Sequence, residues 1–486
     1  MLFNSYIFIL FFLPVTLALY FGLNHFRQEK AAKAALIAMS LWFYAYFHVG
    51  YLAVILSSIL ANYGISRALL KKGSPVWRRA VLWLGIIGNA GAIFYFKYFN
   101  FLLENINVIL RTSFDLQDIL MPLGISFFTF QQISYLVDSY RGETAGYGLL
   151  DYMLFVAFFP QLVAGPIVTH EEMMHQFQDS ERKRFSQEGL ARGLYLFSVG
   201  LAKKVLLADT LGRAADWGFG NPDALSAAAT FVLSLLYVFQ LYYDFSGYCD
   251  MACGIACMFR IDLPVNFNSP YQALSIADFW KRWHMSLTRF LRKYIYFPLG
   301  GNRKGKLRTW MNVLTVYLVS GIWHGANWTF ILWGCIHGIA QVLYRIFGGL
   351  WDRLPKLLRG ACTFLFVDMA FMLFRADSPG DYGTLLSNIL LGKNGGIPAE
   401  MTECFHVIEF TYLEDHVGAL GAIASRMPSL HMWIVLGIAA GIAFFGRNCH
   451  EREFQPTLAK GLGCIALLVW SVMSLSGLSV FLYFNF

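Results

Sequence analysis

From Met311 to Tyr344 the sequence reads MNVLTVYLVSGIWHGANWTFILWGCIHGIAQVLY. This stretch contains no Asp, Glu, Lys or Arg, and an α-helix needs only about 20 apolar residues to cross the hydrocarbon core of a bilayer. The run is long enough for two helices or for one long tilted helix. Because an ionisable side chain at membrane depth is costly, His324 within this run is the first candidate for a functional residue.

Similar apolar runs recur along the whole chain. The chain is 57% hydrophobic and 17% aromatic but only 14% charged, whereas about 25% of the residues in soluble domains are charged. The pattern predicts an all-α polytopic membrane protein, one integral-membrane domain over residues 1–486, with about 11–12 transmembrane helices plus re-entrant or interfacial helices. The predicted spans lie near 4–23, 34–48, 51–70, 80–98, 150–168, 190–208, 226–258, 310–345, 357–375, 432–446 and 459–481, with an amphipathic or re-entrant stretch around 118–140.

The positive charge gathers in short segments between the apolar runs. The formal net charge is +8, and under the positive-inside rule clustered Lys and Arg mark the cytoplasmic face. Membrane topology thus accounts for the excess charge, and no nucleic-acid partner is predicted. Residues 278–308 are predicted to form a basic cytoplasmic interfacial segment. The basic clusters are Arg27 to Lys33, Lys71 to Arg79, Arg182 to Arg184 with Lys203 and Lys204, and above all Lys281 to Arg308.

His324 has neighbours that are unusual for a core histidine. Gly321 and Gly325 permit close backbone approach, and Trp323 and Trp328 would wall off water. In such surroundings a neutral imidazole can take a proton from a hydroxyl group. The alternative is a structural histidine that hydrogen-bonds to a neighbouring helix, and physical reasoning alone leaves both interpretations open.

A second histidine motif, DFWKRWHMSL, runs from Asp278 to Leu287. Aromatic and basic residues alternate in it, which is typical of a helix that lies in the membrane interface with its aromatic side chains in lipid. A second, compatible interpretation is that Lys281, Arg282 and Arg289 grip the phosphates of a coenzyme or of a lipid-linked donor. The donor would then enter from the cytoplasm, close to His284.

No metal site is predicted. Cys249, Cys253 and Cys257 share one helix face, but they suit close helix packing better than zinc binding. His337 would fall on a different face from His324 if one helix carried both residues, so it is interpreted as a packing residue or as one that supports the site indirectly, and not as a partner in the same step.

Two carboxylates, Asp244 and Asp250, lie six residues apart in an apolar run. On a helix they point about 120° apart, so they need not meet. A structural salt bridge to a basic residue is therefore favoured over paired acid–base catalysis.

In order along the chain, these motifs resemble the pattern of the membrane-bound O-acyltransferase family. The resemblance is strongest to bacterial alginate O-acetylation acyltransferases and their relatives in cellulose and peptidoglycan acetylation. Cys249 and Asp368 depart from the pattern, away from both histidine motifs. The stretches that carry the resemblance are PLGISFFTFQ from Pro122, FPQLVAGPI from Phe159, DFSGY from Asp244, Asp278 to Leu287, Tyr294 to Arg303, Gly321 to Trp328, Phe374 to Ala376, and Leu475 to Phe486.

The resemblance implies a ring of helices around a central funnel, with His324 as the catalytic histidine and His284 as a second signature histidine near the donor. It implies no bound cofactor but an acyl thioester co-substrate, acetyl-CoA. The implied partners are an extracytoplasmic SGNH-type acetyltransferase and a cell-surface polysaccharide. The implied location is the bacterial cytoplasmic membrane, where the multi-pass chain contacts lipid.

The expected mechanism places acyl-CoA against the basic segment and His324 as general base on an acceptor hydroxyl. Asn327, or the indole N–H groups of neighbours such as Trp328, would steady the developing oxyanion. Two alternatives stay open at this point. One is D-alanyl transfer to teichoic acid from a carrier-protein thioester, and the other is a transporter or flippase of a lipid-linked glycan.

Overall fold

The computed structural model consists of helices and connecting loops, with no strand in the residues that it describes. Those residues are 1–144, 146–392, 394–417, 421, 423–451, 454–475 and 480–482. The final stretch on which the resemblance partly rests, Leu475 to Phe486, therefore lies mostly outside the described residues.

Six helices in the described chain are long and apolar enough to cross a membrane. Two further helices, Leu430–Phe445 and Leu458–Met473, are apolar but shorter. These helices confirm an all-α polytopic membrane protein. The six are Phe8–His25, Tyr51–Leu70, Pro75–Leu110, Ala227–Met258, Trp328–Trp351 and Lys356–Arg375.

The chain forms two compact units whose segments interleave along the sequence, so neither unit is one contiguous stretch. The first unit comprises residues 1–200, 248–265 and 454–486, and the second comprises 201–247 and 266–453. The helices Gln187–Ala202 and Ala227–Met258 contribute residues to both. The other α-helices of the first unit are Leu13–His25, Glu29–Ala45, Tyr51–Leu70, Pro75–Ile93, Phe99–Leu110, Ile125–Arg141, Leu149–Ala157, Phe159–Leu162, His170–Gln178 and Leu458–Met473.

The second unit carries both histidine motifs. Short π-helical turns at Lys203–Ala208 and Arg292–Tyr296 interrupt its regular helices. Its other α-helices are Asp209–Gly220, Ile276–Trp280, Met285–Leu291, Gly305–His324, Trp328–Trp351, Lys356–Arg375, Pro379–Leu391, Ala399–Glu403, Ile408–His416 and Leu430–Phe445.

The span predicted near 150–168 is wrong. The structure has a nine-residue helix, Leu149–Ala157, and a four-residue helix, Phe159–Leu162, in its place. Pro160 lies in the first turn of the second of these, because proline has no N–H to continue the first helix and its ring clashes with the preceding turn. Both short helices are largely buried inside the protein, which explains why the run is apolar without crossing a membrane.

The apolar run 310–345 forms two helices rather than one. Gly305–His324, here the His324 helix, packs against Trp328–Trp351, here the Trp333 helix. Gly321 and Gly334 face each other where the helices meet. A Cβ on Gly334 would overlap the carbonyl oxygen of Tyr317 and lie 3.1 Å from the Cα of Gly321. Small residues at this crossing allow the backbones to approach, as is common between membrane helices.

Replacing Gly334 with alanine should therefore push the two helices apart. Overpacking of this kind costs about 1–3 kcal/mol, and it should lower both the unfolding temperature in detergent and the catalytic activity. Gly349 lies on the same helix, and a Cβ added there would meet no atom within 4 Å, so Gly349→Ala is the matched control and should be neutral or stabilising. Equal unfolding temperatures for the two variants would contradict this account of the crossing.

Lys204 is not a surface lysine of a cytoplasmic loop, as its place among the basic clusters suggested. It is 2% exposed, and its Nζ lies 2.6 Å from Asp244 Oδ1 and 2.8 Å from Asp209 Oδ1. A buried ammonium group needs such partners because desolvation of an unpaired charge is very costly. The structural salt bridge predicted for one of the two carboxylates of the apolar run is thus confirmed for Asp244.

Candidate active site

His324 is the last residue of its helix. The chain leaves the helix at Gly325, whose backbone is extended, and the next helix starts at Trp328 with Asn327 as its N-cap. A Cβ on Gly325 would overlap the ring of Phe330, so glycine is needed for this tight exit. The turn therefore holds the imidazole of His324 at the junction of the two helices and not on the side of a single helix.

Aromatic rings enclose His324, which is 4% exposed. The ring centroids of Trp323, Trp333 and Phe374 lie 4.9, 5.1 and 5.3 Å from that of His324, and all three are roughly edge-on to it. Phe374 comes from the neighbouring helix Lys356–Arg375. These rings leave the imidazole little exposed to water. Trp323 is one of the two tryptophans that the sequence predicted to wall off water, whereas Trp328, the other, is exposed.

His284 is fully buried and precedes a short helix, Met285–Leu291. Its backbone is left-handed, with φ of 45°, a conformation that costs a non-glycine residue about 1–2 kcal/mol. Asn266 holds the turn, since its carbonyl oxygen and its Oδ1 accept from the backbone N–H groups of Met285 and Ser286. Strain that the surroundings hold in place is common at functional sites.

The imidazole of His284 is uncharged. Burial lowers the pKa of His284 to about 3, so it carries no positive charge at neutral pH. Its ring packs edge-on against Phe245 at 4.8 Å and against Trp323 at 6.2 Å, measured between centroids. A neutral histidine can orient a donor by hydrogen bonding, but it supplies no charge for phosphate binding.

Trp323 connects the two histidine motifs. Its ring contacts both His284 and His324. The structure thus brings together two histidines that are forty residues apart in the chain. No spacing rule predicts this proximity, and the resemblance implied only that His284 lies near the donor.

The three predicted phosphate-binding residues differ in their surroundings. Lys281 and Arg289 are exposed. Arg282 is half-buried, with its Nε 2.9 Å from Asp278 Oδ1, and it also donates to the carbonyl of Asn268. Lys281 and Arg289 are accordingly the better placed of the three to meet an anion.

The sequence predicted that the segment Asp278 to Leu287 forms a helix in the membrane interface with its aromatic side chains in lipid. For the aromatic side chains this prediction is wrong. Two short helices separated by a turn replace the single helix. The aromatic residues are buried inside the second unit and not available to lipid, because they pack on one another and on Phe371. The buried members are Phe279, Trp280, Trp283 and Phe290.

Asn327 and Trp328 stand at the start of the Trp333 helix. Asn327 caps this helix: its Oδ1 accepts from the N–H of Thr329, and its Nδ2 donates to the carbonyl of Asp377. Both ends of the amide are thus engaged in holding the helix junction. Trp328 is exposed, and the role of either residue toward a donor stays a prediction.

His337 is closer to the site than the helix-face argument allowed. That argument assumed one helix through both histidines, whereas the His324 helix ends before the Trp333 helix begins. Trp333 contacts His324 at 5.1 Å and His337 at 4.7 Å between centroids. Sequence reasoning missed Trp333 and the proximity of His337, although Gly325 followed by Asn327 is a recognisable signal for a helix end and a new N-cap.

Comparisons with known proteins agree with the arrangement of these motifs. The model of the membrane-bound O-acyltransferase family matches residues 94–355, more than half of the chain and both histidine motifs. A peptidoglycan O-acetyltransferase of Helicobacter pylori is 38% identical over 517 aligned residues, covering 100% of this chain and 98% of that protein.

Two further groups of relatives match more partially. A protein named probable alginate O-acetylase, from Pseudomonas aeruginosa, is 39% identical, covering 78% of this chain and 72% of its own length. A teichoic acid D-alanyltransferase of Bacillus subtilis is 28% identical, covering 52% of this chain and 68% of its own. The O-acetylating relatives thus match with higher identity and over more of the chain.

Proposed function

Because this chain belongs to the membrane-bound O-acyltransferase family, we propose that it transfers an acetyl group from a cytoplasmic thioester, acetyl-CoA, to a hydroxyl group outside the membrane. The chain is an O-acyltransferase, and the donor, the direction of transfer and the acceptor are the proposed parts. The proposed acceptor is an extracytoplasmic polysaccharide, or an SGNH-type partner protein that acetylates it. The proposed location is the bacterial cytoplasmic membrane.

The observation that carries this proposal is the pair of buried histidines that both contact the ring of Trp323. His324 removes the proton of the acceptor hydroxyl as its oxygen attacks the thioester carbonyl. The tetrahedral intermediate then collapses, the carbon–sulfur bond breaks, and the proton passes to the departing thiolate. General-base help of this kind contributes about 10²–10⁴-fold, and His284 orients the donor near this point.

The relatives support the proposed identity of the acyl group. The relatives that match most of the chain are named for O-acetylation, and this supports an acetyl donor over the D-alanyl group of a carrier protein. The teichoic acid D-alanyltransferases match about half of the chain, so D-alanyl transfer is the second candidate. Because the chain is an O-acyltransferase, the alternative of a transporter or flippase of a lipid-linked glycan is excluded.

The test is release of free CoA from acetyl-CoA by the purified protein in lipid nanodiscs, with alginate or peptidoglycan fragments as acceptors. Release that increases with one of the acceptors, together with ester formation on it, is the expected result. Turnover of a D-alanyl carrier-protein thioester but not of acetyl-CoA would overturn the acetyl proposal and leave the family assignment intact.

The exposed cations Lys281 and Arg289 should affect donor binding more than chemistry. We expect the double variant Lys281→Glu with Arg289→Glu to raise the KM for acetyl-CoA about tenfold, equivalent to about 1.4 kcal/mol, with a much smaller change in kcat. The effect should shrink at high ionic strength, because salt screens exposed charges.

The matched control changes the same number of charges elsewhere. Lys71 and Lys72 are also exposed, and Lys71→Glu with Lys72→Glu should leave the KM within about twofold of the wild-type value because the long-range effect of net charge is screened. Equal effects of the two double variants would mean that overall charge, and not a local phosphate contact, determines donor binding.

A further inference from the structure

One turn of the Trp333 helix carries two nitrogen-bearing rings, and that of Trp333 lies next to His324. Trp333 and His337 are four residues apart and therefore share a helix face. Trp333 is 1% exposed and His337 is fully buried. Their ring centroids lie 4.7 Å apart, and that of Trp333 lies 5.1 Å from that of His324.

The protonation state of His337 follows from its neighbour Trp280. The indole Nε1–H of Trp280 donates to Nδ1 of His337 over 3.2 Å. An indole nitrogen can only donate, so Nδ1 must accept through its lone pair. The proton of the neutral imidazole is therefore on Nε2, and His337 carries an N–H donor on the edge away from Trp280.

Two buried donors on this turn have no partner. Within the described chain, neither Nε2 of His337 nor Nε1 of Trp333 makes a hydrogen bond. Leaving a buried polar group unsatisfied is costly, so native proteins rarely leave two together. Both groups donate and neither accepts, which selects a ligand atom with free lone pairs, such as a carbonyl oxygen.

We propose that the Nε1–H of Trp333 and the Nε2–H of His337 donate hydrogen bonds to the acyl carbonyl oxygen of the thioester. This proposal rests on the proposed acyl transfer. When the acceptor oxygen attacks the carbonyl carbon and His324 takes the hydroxyl proton, the carbonyl electron pair moves to this oxygen. The two donors stabilise the resulting oxyanion until the carbon–sulfur bond breaks and the carbonyl re-forms.

Preorganised donors suit this task because they stand ready where the negative charge develops. In a water-poor site they need no reorganisation during the reaction, and loss of one such donor lowers kcat by about 10²–10³-fold in other enzymes. The arrangement also assigns a function to His337, which otherwise is a buried imidazole without a reason for its free edge.

Trp333→Phe tests the proposal, since it replaces the indole with a smaller aromatic ring that has no N–H donor. The expected result is a fall in kcat of about 10²-fold with a smaller rise in the KM for acetyl-CoA, because the hydrogen bond to the carbonyl oxygen is already present in the bound donor and strengthens as the oxyanion forms. Trp351→Phe is the matched control on the same helix: it removes an indole N–H that donates to the carbonyl of Leu274, and its kcat should stay at the wild-type value.

Substitutions at His337 provide a second, chemical readout. His337→Gln keeps an N–H donor and an acceptor for Trp280, whereas His337→Leu keeps neither. We expect glutamine to retain at least tenfold more kcat than leucine, a rescue that a role in packing alone would not produce. Equal kcat values for the two variants, or wild-type kcat in Trp333→Phe, would overturn the proposal.

Binding of two unreactive analogues distinguishes failure of this proposal from failure of the proposed function. One is the ketone in which a methylene replaces the thioester sulfur, and the other is S-ethyl-CoA, which has no carbonyl. Trp333→Phe should weaken binding of the ketone and leave binding of S-ethyl-CoA unchanged. Equal weakening of both overturns the carbonyl contact, while a wild-type protein that binds neither analogue overturns the acyl-CoA donor and this proposal together.

Discussion

Alanine in place of His324 should abolish measurable acyl transfer, with a loss of up to about 10⁴-fold in kcat. The reason is that the acceptor hydroxyl then has no base within its water-poor surroundings, where the side chain is enclosed by Trp323, Trp333 and Phe374. The measurement is the rate of CoA release and of ester formation by purified protein with saturating acetyl-CoA.

The control for this variant is His416→Ala. His416 is an exposed histidine stacked on Tyr412, so its removal should leave turnover unchanged. An unfolding temperature of His324→Ala near the wild-type value would exclude misfolding as the cause of the loss. Turnover within tenfold of wild type from folded His324→Ala protein would refute the catalytic assignment.

Methionine in place of Lys204 should strongly destabilise the protein. The change leaves the carboxylate of Asp244, itself only 3% exposed, buried without its cation, and breaking a buried pair in this way costs about 3–5 kcal/mol. The expected readout is a large fall in the unfolding temperature and in the yield of folded protein from the membrane.

Two further variants isolate the ion pair. Adding Asp244→Asn to Lys204→Met removes the uncompensated charge and should recover a large part of the lost stability. Lys203→Met changes the adjacent, half-buried lysine, whose ammonium group lies 6.0 Å from the ring centroid of Tyr242, and should cost about 1 kcal/mol or less. If Lys204→Met and Lys203→Met had equal unfolding temperatures, the buried ion pair of Lys204 and Asp244 would not contribute substantially to the stability of the second unit.

The positions of the long apolar helices were predictable because the hydrophobicity of the residues is enough to identify them. The spans predicted at 51–70, 226–258 and 357–375 correspond to the helices Tyr51–Leu70, Ala227–Met258 and Lys356–Arg375. The candidate histidines were also found from sequence, since a titratable group in an apolar run needs an explanation wherever the helices end.

The contacts that each helix makes with its neighbours were not predictable from hydrophobicity. Burial inside protein and burial in lipid give the same apolar pattern, so the aromatic face around Trp283 and the run near Pro160 were assigned to the wrong environment. Similarly, the sequence cannot distinguish a buried lysine from an exposed one. Only the short distance from Lys204 to Asp244 shows that Lys204 lies in the interior.

The position of His324 at the end of a helix has a further electrostatic consequence. The peptide dipoles of the helix Gly305–His324 add up to a partial negative charge at its C-terminus, which stabilises a nearby cation by about 0.3–1 kcal/mol and more where the site is partly buried. When the imidazole takes up the acceptor proton it becomes such a cation. The helix backbone thus provides a fixed partial negative charge, which stabilises His324 in its protonated form in the intermediate more than in its neutral form in the resting enzyme.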